Sequence, residues 1–357
     1  MVFENTDYRF EILDLKNRYD VKKMKGILDP LGFDFIAEQV DYTFILTNLN
    51  DDFIGTGSLK DNVLKFVAVD PKFRETSAFA IIVSHLTETS LKKNKTSFVF
   101  TKPENVIKFK SIGYNEIASA PPIYALLEFG YQTISDYKNY LISNKSSIVS
   151  DKIATIVVNC NPFTNGHKYL IEKAAAENDI LYLFVVEEDQ SVFSFDIRWK
   201  LIEEGINHLK NVIMLKGGRY IVSSATFPAY FLKKESIDII TQKQTELDVN
   251  VFIKHIIPTL DITRRYVGEE IYCKTTAAYN SAMKEFLGKN NVELIEIPRM
   301  SIGSDDNFIS ASKVRNAIKN GTLNDILDFL PDSTKSFLLS EDSQLIKDKI
   351  ISSESRH

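Results

Sequence analysis

The fold of the C-terminal half is decided by the stretch Ile153-Ala154-Thr155-Ile156-Val157-Val158-Asn159-Cys160-Asn161-Pro162-Phe163-Thr164-Asn165-Gly166-His167. Its first six residues form an unbroken apolar run, which is typical of a strand buried on both faces in a helix-covered parallel sheet. An Asn-Pro turn follows, and a helix is expected to begin near Lys168. The stretch therefore predicts a strand-to-helix corner, where a helix N-terminus can receive a phosphate.

The rest of this half repeats the alternation of strand and helix. Further apolar runs at 180–186, 212–215, 237–240 and 292–297 each predict a strand. A doubly wound parallel sheet is therefore expected over residues 153–340, with ligands outside the carboxyl ends of its strands. The last residues, 341–357, are polar and are expected to be a frayed tail.

The N-terminal part has a different pattern. Residues 1–130 mix predicted strands, among them 42–46, 63–69 and 97–101, with a helix near 77–92, which indicates an α+β domain. The segment 131–152 combines a polar helix with a serine-rich stretch and has the composition of a linker. Two domains suit 357 residues, since single cores stop growing at about 250–300 residues.

Composition excludes several functions. The formal net charge is -5, and no basic cluster is interleaved with aromatic residues, so we expect no nucleic-acid partner. Neither a signal sequence nor an apolar segment of about 18 residues occurs, which predicts a cytoplasmic protein without a membrane partner. The histidines lack metal-ligand spacing, and Cys160 and Cys273 are too few for a zinc cluster; both are expected to be small buried side chains.

The predicted corner carries residue types suited to phosphate chemistry. Gly166 has no Cβ and would let the backbone approach a ligand at the start of the helix. His167 could donate a hydrogen bond to a phosphate oxygen that gains charge in the transition state. A single histidine in a first helical turn is more often a capping or solvated residue. The ordered combination of turn, threonine, glycine and histidine is more specific than any one member.

A second stretch, Ile309-Ser310-Ala311-Ser312-Lys313-Val314-Arg315, opens another predicted helix, which ends at Asn320-Gly321. Ser310 is a suitable N-cap. Hydroxyl groups and unpaired N–H groups then lie near Lys313 and Arg315, a combination that can bind polyphosphate through charge-assisted hydrogen bonds. A plain capped helix with solvated basic residues is the alternative.

Thr164-Asn165-Gly166-His167 and the stretch 309–315 resemble the two signatures of the nucleotidylyltransferase superfamily, in the expected order. The resemblance implies that Thr164 and His167 contact ATP phosphates and that Asn159 lies near the attacking group. It also implies that the hydroxyls and arginine of the second stretch hold the β- and γ-phosphates while pyrophosphate leaves.

The whole chain resembles the citrate lyase ligase family, also called the citrate lyase synthetases. Besides 159–167, the matching stretches are 100–105, 184–189, 220–233, 265–270, Tyr279-Asn280 and 297–299. This family resemblance implies that ATP, with Mg²⁺, and acetate give an acetyl-adenylate. The acetyl group then passes to the prosthetic-group thiol of the citrate lyase acyl carrier subunit, with release of AMP and pyrophosphate.

Site residues follow from the two resemblances and the chemistry of the turns. The predicted catalytic residues are His167, Lys313 and Arg315. The predicted nucleotide-binding residues are Asn159, Asn161, Phe163, Thr164, Gly166, Gly268, Glu269, Arg299, Ser310 and Ser312. No protein residues are predicted as metal ligands. A solvated acidic turn remains the alternative for Gly268 and Glu269, and a plain exposed arginine for Arg299.

The N-terminal domain resembles the acetyl-coenzyme A-dependent N-acetyltransferases at Val67-Ala68-Val69-Asp70-Pro71-Lys72-Phe73-Arg74. Where that fold has a glycine-rich turn for pyrophosphate, this chain has Arg74-Glu75-Thr76-Ser77-Ala78-Phe79-Ala80, whose side chains occupy the place of approach. We therefore predict no acetyl transfer from coenzyme A. Docking of the carrier subunit or its pantetheine-like arm is the hypothesis for this domain.

Two other functions stay open at this point. A nucleotidylyltransferase that adenylates a phosphorylated cofactor precursor would need further cations for a dianionic acceptor. The acidic stretch Glu187-Glu188-Asp189 instead favours a small monoanion such as acetate. A non-catalytic nucleotide-binding protein is the second alternative, against which the intact signature residues argue.

Overall fold

The structure is a computed structural model that describes residues 7–187, 191–221, 237–269, 274–300 and 308–352. Several residues singled out in the sequence lie outside these ranges, namely Glu188, Asp189, 222–233, Glu270 and Cys273. The chain forms two compact units, Met1–Tyr137 with Ser224–Asn250, and Lys138–Ser223 with Val251–His357. Each unit has its own sheet and is described in turn.

In the described part of the first unit, seven strands form one sheet in the order β1-β2-β3-β4-β5-β7-β6. The strands are β1 Tyr8–Ile12, β2 Tyr42–Asn48, β3 Phe53–Lys60, β4 Val63–Val69, β5 Thr96–Thr101, β6 Asn115–Ala120 and β7 Tyr124–Gly130. The helices between these strands are α1 Arg18–Leu28, α2 Ala78–Leu91 and α3 Val106–Lys110, with short 3₁₀ turns at Asp29–Leu31, Ala37–Gln39, Pro71–Phe73 and Pro103–Asn105. The predicted α+β class is confirmed.

A cleft opens in this sheet between β4 and β5. These two strands are parallel and pair only through Val63 with Phe98 and Leu64 with Val99, after which they diverge. A cavity of about 780 Å³ occupies the space between them, bounded by the start of α2 and by α3. The other strand pairs of the sheet are antiparallel.

The second unit contains a parallel sheet in the order β10-β9-β8-β11-β12 among its described residues. Its strands are β8 Ile153–Val158, β9 Ile180–Val185, β10 Val212–Lys216, β11 Arg264–Gly268 and β12 Glu293–Ile297. The order reverses between β8 and β11, so the crevice expected to receive a ligand lies beyond Val158 and Gly268. The predicted doubly wound class is confirmed.

The described helices after β7 are, in order, α4 Ile134–Ser143, α5 Asn165–Glu177, α6 Phe195–Gly205, α7 Ile237–Val251, α8 Ile257–Leu260, α9 Lys274–Gly288, α10 Ala311–Lys319, α11 Asp332–Leu339 and α12 Gln344–Ser352. Of these, α7 belongs to the first unit up to Asn250, and α4 begins in the first unit and ends in the second. A π-helical turn, Phe252–Ile256, joins α7 to α8, and 3₁₀ segments occur at Leu323–Phe329 and Glu341–Ser343. One core cluster joins buried residues of β8 and β9 to α5, α6, α10, α11 and α12. No described helix has the length and apolar character needed to cross a membrane.

Three predictions of local structure were wrong. Residues 237–240 begin helix α7 rather than a strand, because the short apolar run continues into good helix formers. Helix α5 begins at Asn165 rather than near Lys168, since the Thr164 side chain caps it. The polar tail is not frayed over 341–352, because α12 buries Ile346 and Ile350 in the core.

Candidate active site

The first turn of α5 is a capping box made by Thr164 and His167. The Thr164 backbone N–H donates to Nδ1 of His167 at 3.2 Å, and the His167 N–H donates to Thr164 Oγ1 at 3.5 Å. Oγ1 also lies 2.9 Å from Nδ1. Because a backbone N–H can only donate, Nδ1 is the acceptor, and we assign the ring proton of the neutral imidazole to Nε2.

His167 is uncharged at neutral pH. Burial of the ring, followed by the positive charge of Arg299, lowers the pKa of His167 to about 4. Part of the residue still reaches solvent, but protein atoms surround the ring closely enough for desolvation to dominate. Phe163 is completely buried and lies parallel to the imidazole, with ring centroids 6.3 Å apart. The arrangement presents Nε2–H as a neutral donor held in a fixed orientation.

The second turn is also a helix N-terminus. Ser310 is the N-cap of α10, as predicted, and its Oγ accepts the Lys313 N–H at 3.2 Å. Ile309, just before the cap, is buried, and its N–H donates to the Met300 carbonyl at 3.0 Å. The backbone entering α10 is therefore fixed from the side of the strand β12.

These two turns lie in contact. The Arg315 guanidinium donates through Nη1 to the carbonyl of Asn161, a residue 154 positions earlier, and through Nη2 to Ser312 Oγ at 3.3 Å. A Cβ built on Gly166 would lie 3.5 Å from the Ile309 carbonyl oxygen. The N-termini of α5 and α10 therefore meet beyond the carboxyl end of β8, where unpaired N–H groups favour anions.

The end of β11 forms the other side of the crevice. Gly268 is exposed, and a Cβ added to it would meet nothing within 4 Å. The Glu269 N–H donates to the Ile297 carbonyl at 2.8 Å, and Arg299 Nε donates to the Glu269 carbonyl at 2.9 Å. The positive charge of Arg299 also contributes to the lowered pKa of His167. Because β11 is the neighbour of β8 in the sheet, Gly268 and Glu269 lie at the same edge of the sheet as the turn that follows β8, and Arg299 contacts Glu269 there.

The predicted residues of the first turn differ in what they can offer a ligand. Thr164, Phe163 and Asn161 are buried and are used by the protein itself, in the cap, in the core and in the bond to Arg315. Asn159, Gly166 and His167 keep exposed surface. The structure thus separates residues that shape the turn from residues that can face a phosphate.

Lys313 occupies a different position on α10 from Arg315. It is two residues earlier, which places the two side chains about 160° apart around the helix. Its ammonium lies 5.9 Å from the ring centroid of Phe329, the residue after Asp328, whose carbonyl accepts the Asn165 side-chain N–H at 2.9 Å. The hydrogen bond to the Asn161 carbonyl of the first turn comes from Arg315, whereas Lys313 lies over a ring of the segment that contacts Asn165.

Arg198 was missed in the sequence. It is 0 % exposed and donates to the carbonyls of Phe193, Asn159 and Val186 at 3.0, 2.9 and 2.8 Å. A signal was available, because Arg198 is three and four residues before Leu201 and Ile202 and so shares the apolar face of α6. An arginine on a core-facing stripe indicates a buried cation with specific acceptors.

Two further groups limit the chemistry. Cys160 is buried, as predicted, and desolvation raises the pKa of its thiol, which is therefore protonated and unsuited to nucleophilic attack. The described ranges contain no group of three or more His, Cys, Asp or Glu side chains placed to hold a metal ion. Glu187, at the end of β9, accepts the Gly218 N–H at 2.7 Å and fixes the turn after β10.

Comparison with known proteins gives a consistent family. A family model described as the citrate lyase ligase C-terminal domain matches residues 153–338. The chain is similar to the [citrate [pro-3S]-lyase] ligase of Haemophilus influenzae, with 36% identity over 85% of this chain and 90% of that protein. It is also similar to the ligase of the same name from Escherichia coli, with 32% identity over 92% and 94% of the two chains.

The comparison with solved structures gives partial matches. The bifunctional NMN adenylyltransferase/ADP ribose pyrophosphatase of Francisella tularensis matches with a TM-score of 0.36 and 16% identity, over 56% of this chain and 52% of that one.

Proposed function

Because the chain belongs to the citrate lyase ligase family, we propose that it acetylates the prosthetic-group thiol of the citrate lyase acyl carrier subunit. ATP and acetate first form acetyl-adenylate and pyrophosphate. The carrier thiol then takes the acetyl group, and AMP leaves. The observation that carries this proposal within the molecule is the contact between the capped turn of α5 and the arginine turn of α10. We also propose that the protein works in the cytoplasm.

In the first step, an acetate oxygen attacks the α-phosphorus and the bond to the bridging oxygen of pyrophosphate breaks. Negative charge grows on the leaving group, so fixed donors that are already oriented stabilise the transition state. His167 supplies the neutral Nε2–H, and the N-termini of α5 and α10 supply backbone N–H groups. Arg315, with Ser312 beside it, neutralises the outer phosphates.

Mg²⁺ enters as part of the substrate MgATP. The described residues offer no cluster of carboxylates and histidines for a protein-built cage, and Mg²⁺ is commonly held by phosphate oxygens and water with few protein ligands. The ion supplies charge neutralisation on the polyphosphate. The residues of the chain orient that polyphosphate through His167, Arg315 and the two helix N-termini.

The second step needs no thiol from the protein. The carrier's sulfur attacks the acetyl carbonyl carbon, the thiol proton passes to solvent, and the carbon–oxygen bond to AMP breaks. Cys160 takes no part because its thiol is buried and its pKa is raised. Catalysis therefore consists of orientation and charge stabilisation.

Pyrophosphate release from ATP tests the proposal and separates it from its rivals. With acetate as acceptor, we expect release that depends on acetate and, in the presence of the carrier subunit, one acetyl thioester per pyrophosphate. Release only with a phosphorylated cofactor precursor would instead establish an ordinary nucleotidylyltransferase. ATP binding without release under either condition would establish a non-catalytic nucleotide-binding protein.

We further propose that the N-terminal unit receives the pantetheine-like arm of the carrier and does not transfer acetyl groups from coenzyme A. The cleft between β4 and β5 is open enough for a slender arm, at about 780 Å³. Its lining includes three cationic residues, Arg74, Lys102 and Lys108, and one acidic residue, Glu104. This excess of positive charge suits an anionic phosphodiester. The side chains from Arg74 to Ala80 replace a glycine-rich turn.

Filling the cleft tests this second proposal. Ala80→Trp places a bulky ring at a cleft-lining position of α2, and Ser84→Trp, at an exposed position on the same helix outside the lining, is the matched control. We expect Ala80→Trp to raise the KM for the carrier subunit and to leave acetate-dependent pyrophosphate release unchanged. An unchanged KM for the carrier would contradict docking in the cleft, and acetyl transfer from acetyl-coenzyme A without ATP would contradict the absence of that activity.

A further inference from the structure

Arg198 connects three segments that end near the crevice. Its acceptors are the carbonyls of Asn159, just after β8, Val186, just after β9, and Phe193, in the segment before α6. The side chain is completely buried. A lysine in its place has one nitrogen, which cannot reproduce bonds made from both Nε and Nη1 of a planar guanidinium. The arginine therefore fixes the relative positions of these segments.

One of these segments is a backbone turn in an unfavourable conformation. Cys160 has φ 53°, in the left-handed region, which costs a non-glycine residue about 1 kcal/mol or more and persists only where its surroundings hold it. Arg198 holds the carbonyl before Cys160, and Arg315 holds the carbonyl after it. The Phe193 N–H also donates to Asn161 Oδ1 at 3.1 Å.

The same turn positions the functional groups of both signatures. Asn159, Asn161 and the N-cap Thr164 follow one another within six residues, and Arg315 reaches the crevice by bonding to the Asn161 carbonyl. The Asn159 side chain, in addition, exchanges hydrogen bonds of 3.1 and 3.2 Å with Ser191 Oγ, from the segment that Arg198 also holds. A shift of the turn would thus move Asn159, Arg315 and the cap of α5 together.

We propose that Arg198 is a positioning residue, which fixes the Asn159–Asn161 turn so that His167 and Arg315 address the same triphosphate. The inference rests on the proposed adenylation reaction and extends it to a residue that touches neither substrate. Misplacement of reacting groups by about 1 Å can cost up to about 100-fold in rate, which is the scale of the effect expected here.

The test compares Arg198→Lys and Arg198→Gln with stability controls on the same helix. Leu201→Ala and Ile202→Val remove buried side-chain atoms of α6 that contribute to the core. Substitutions of these two kinds lower the free energy of unfolding by about 0.5–5 kcal/mol. Acetate-dependent pyrophosphate release is measured well below the melting temperature of every variant. The controls give the change in rate that destabilisation alone produces at a given loss of melting temperature.

We expect both Arg198 variants to lower kcat by about 10- to 100-fold, with less than about threefold change in the KM for ATP, because the defect lies in geometry at the transition state. At equal loss of melting temperature, the controls keep kcat within about twofold, since α6 packing alone does not move the turn. The inference would be overturned if the Arg198 variants lost no more kcat than the controls do at the same loss of melting temperature. Failure of both Arg198 variants to fold would also overturn it. If the unmodified chain releases no pyrophosphate with acetate, the proposed function itself fails, and the inference fails with it.

Discussion

Replacement of His167 separates its two roles, capping α5 and donating to phosphate. His167→Ala removes both, because the Thr164 N–H loses its acceptor and the crevice loses Nε2–H. His167→Gln keeps the first, since glutamine at this position completes the usual capping box with a threonine N-cap. The pair of variants therefore distinguishes a stability effect from an effect on chemistry.

The expected magnitudes differ for the two roles. Loss of the cap costs about 1 kcal/mol of folding free energy, so His167→Ala should lower the melting temperature by a few degrees and His167→Gln should not. Loss of an oriented donor to developing charge costs about 2.7–4 kcal/mol in the transition state. Both variants should therefore lower kcat for acetate-dependent pyrophosphate release by about 10²- to 10³-fold, with a smaller change in ATP affinity.

The assay pairs thermal melting with steady-state pyrophosphate release, measured at pH 7 and at a temperature at which both variants are folded. A near-normal kcat for His167→Gln would show that the capped ring has no chemical role. The same conclusion would follow if the loss of kcat in His167→Ala disappeared once a stabilising additive restored the melting temperature.

Three further predictions follow from the same geometry. Gly166→Ala should fold normally, because its Cβ would lie 3.5 Å from the nearest atom, yet it should raise the KM for ATP by about tenfold, equivalent to about 1.4 kcal/mol. The control is Gly57→Ala in the first unit, whose Cβ would lie 2.6 Å from the Leu86 side chain; it should lower the melting temperature and leave the KM for ATP unchanged, and the reverse pattern would contradict this. Arg315→Ala should lower kcat for acetate-dependent pyrophosphate release by about 10²-fold or more, whereas Lys313→Ala should lower it by less than about tenfold. Equal losses of kcat in the two variants would indicate that both cations contact the phosphates. The pKa of His167 is about 4 in the folded chain and near 6.5 in the unfolded chain, so the unfolded chain takes up a proton first as the pH falls, and folding stability is lost from about pH 6.5 toward 4. Between about pH 7 and pH 5 the melting temperature should therefore fall further for the unmodified chain than for His167→Gln. An equal fall in the melting temperatures of the two proteins would exclude the assigned pKa.

The parallel sheet was predictable because its strands are buried on both faces and read as continuous apolar runs, such as 153–158 and 180–186. Strand β3 was not predicted, since it contains Gly55 and Gly57. The structure explains these glycines, because a Cβ on either would come within 2.6 Å of side chains of α2. Close helix packing, which a single sequence does not reveal, overrides strand propensity there.

Contacts between distant segments also limited what could be predicted about the site. The two turns themselves could be located in the sequence, because capping residues, glycine and cations occur in a recognisable local order. The exposure of each residue could not be predicted, because it depends on packing between distant segments, as where the buried Phe163 ring packs against Gly205 of α6. Arg198 depends on carbonyls of three separate segments, which no local pattern encodes. The roles of the site residues remain predictions, and the structure narrows which side chains can carry them.

A crystal structure with MgATP or a non-hydrolysable analogue would show whether the two turns hold one triphosphate. We expect His167 Nε2 and the Arg315 guanidinium each to lie about 3 Å from oxygens of the same bound triphosphate, beyond the carboxyl end of β8. A nucleotide bound elsewhere, or one whose phosphates reach only one of these two side chains, would contradict it.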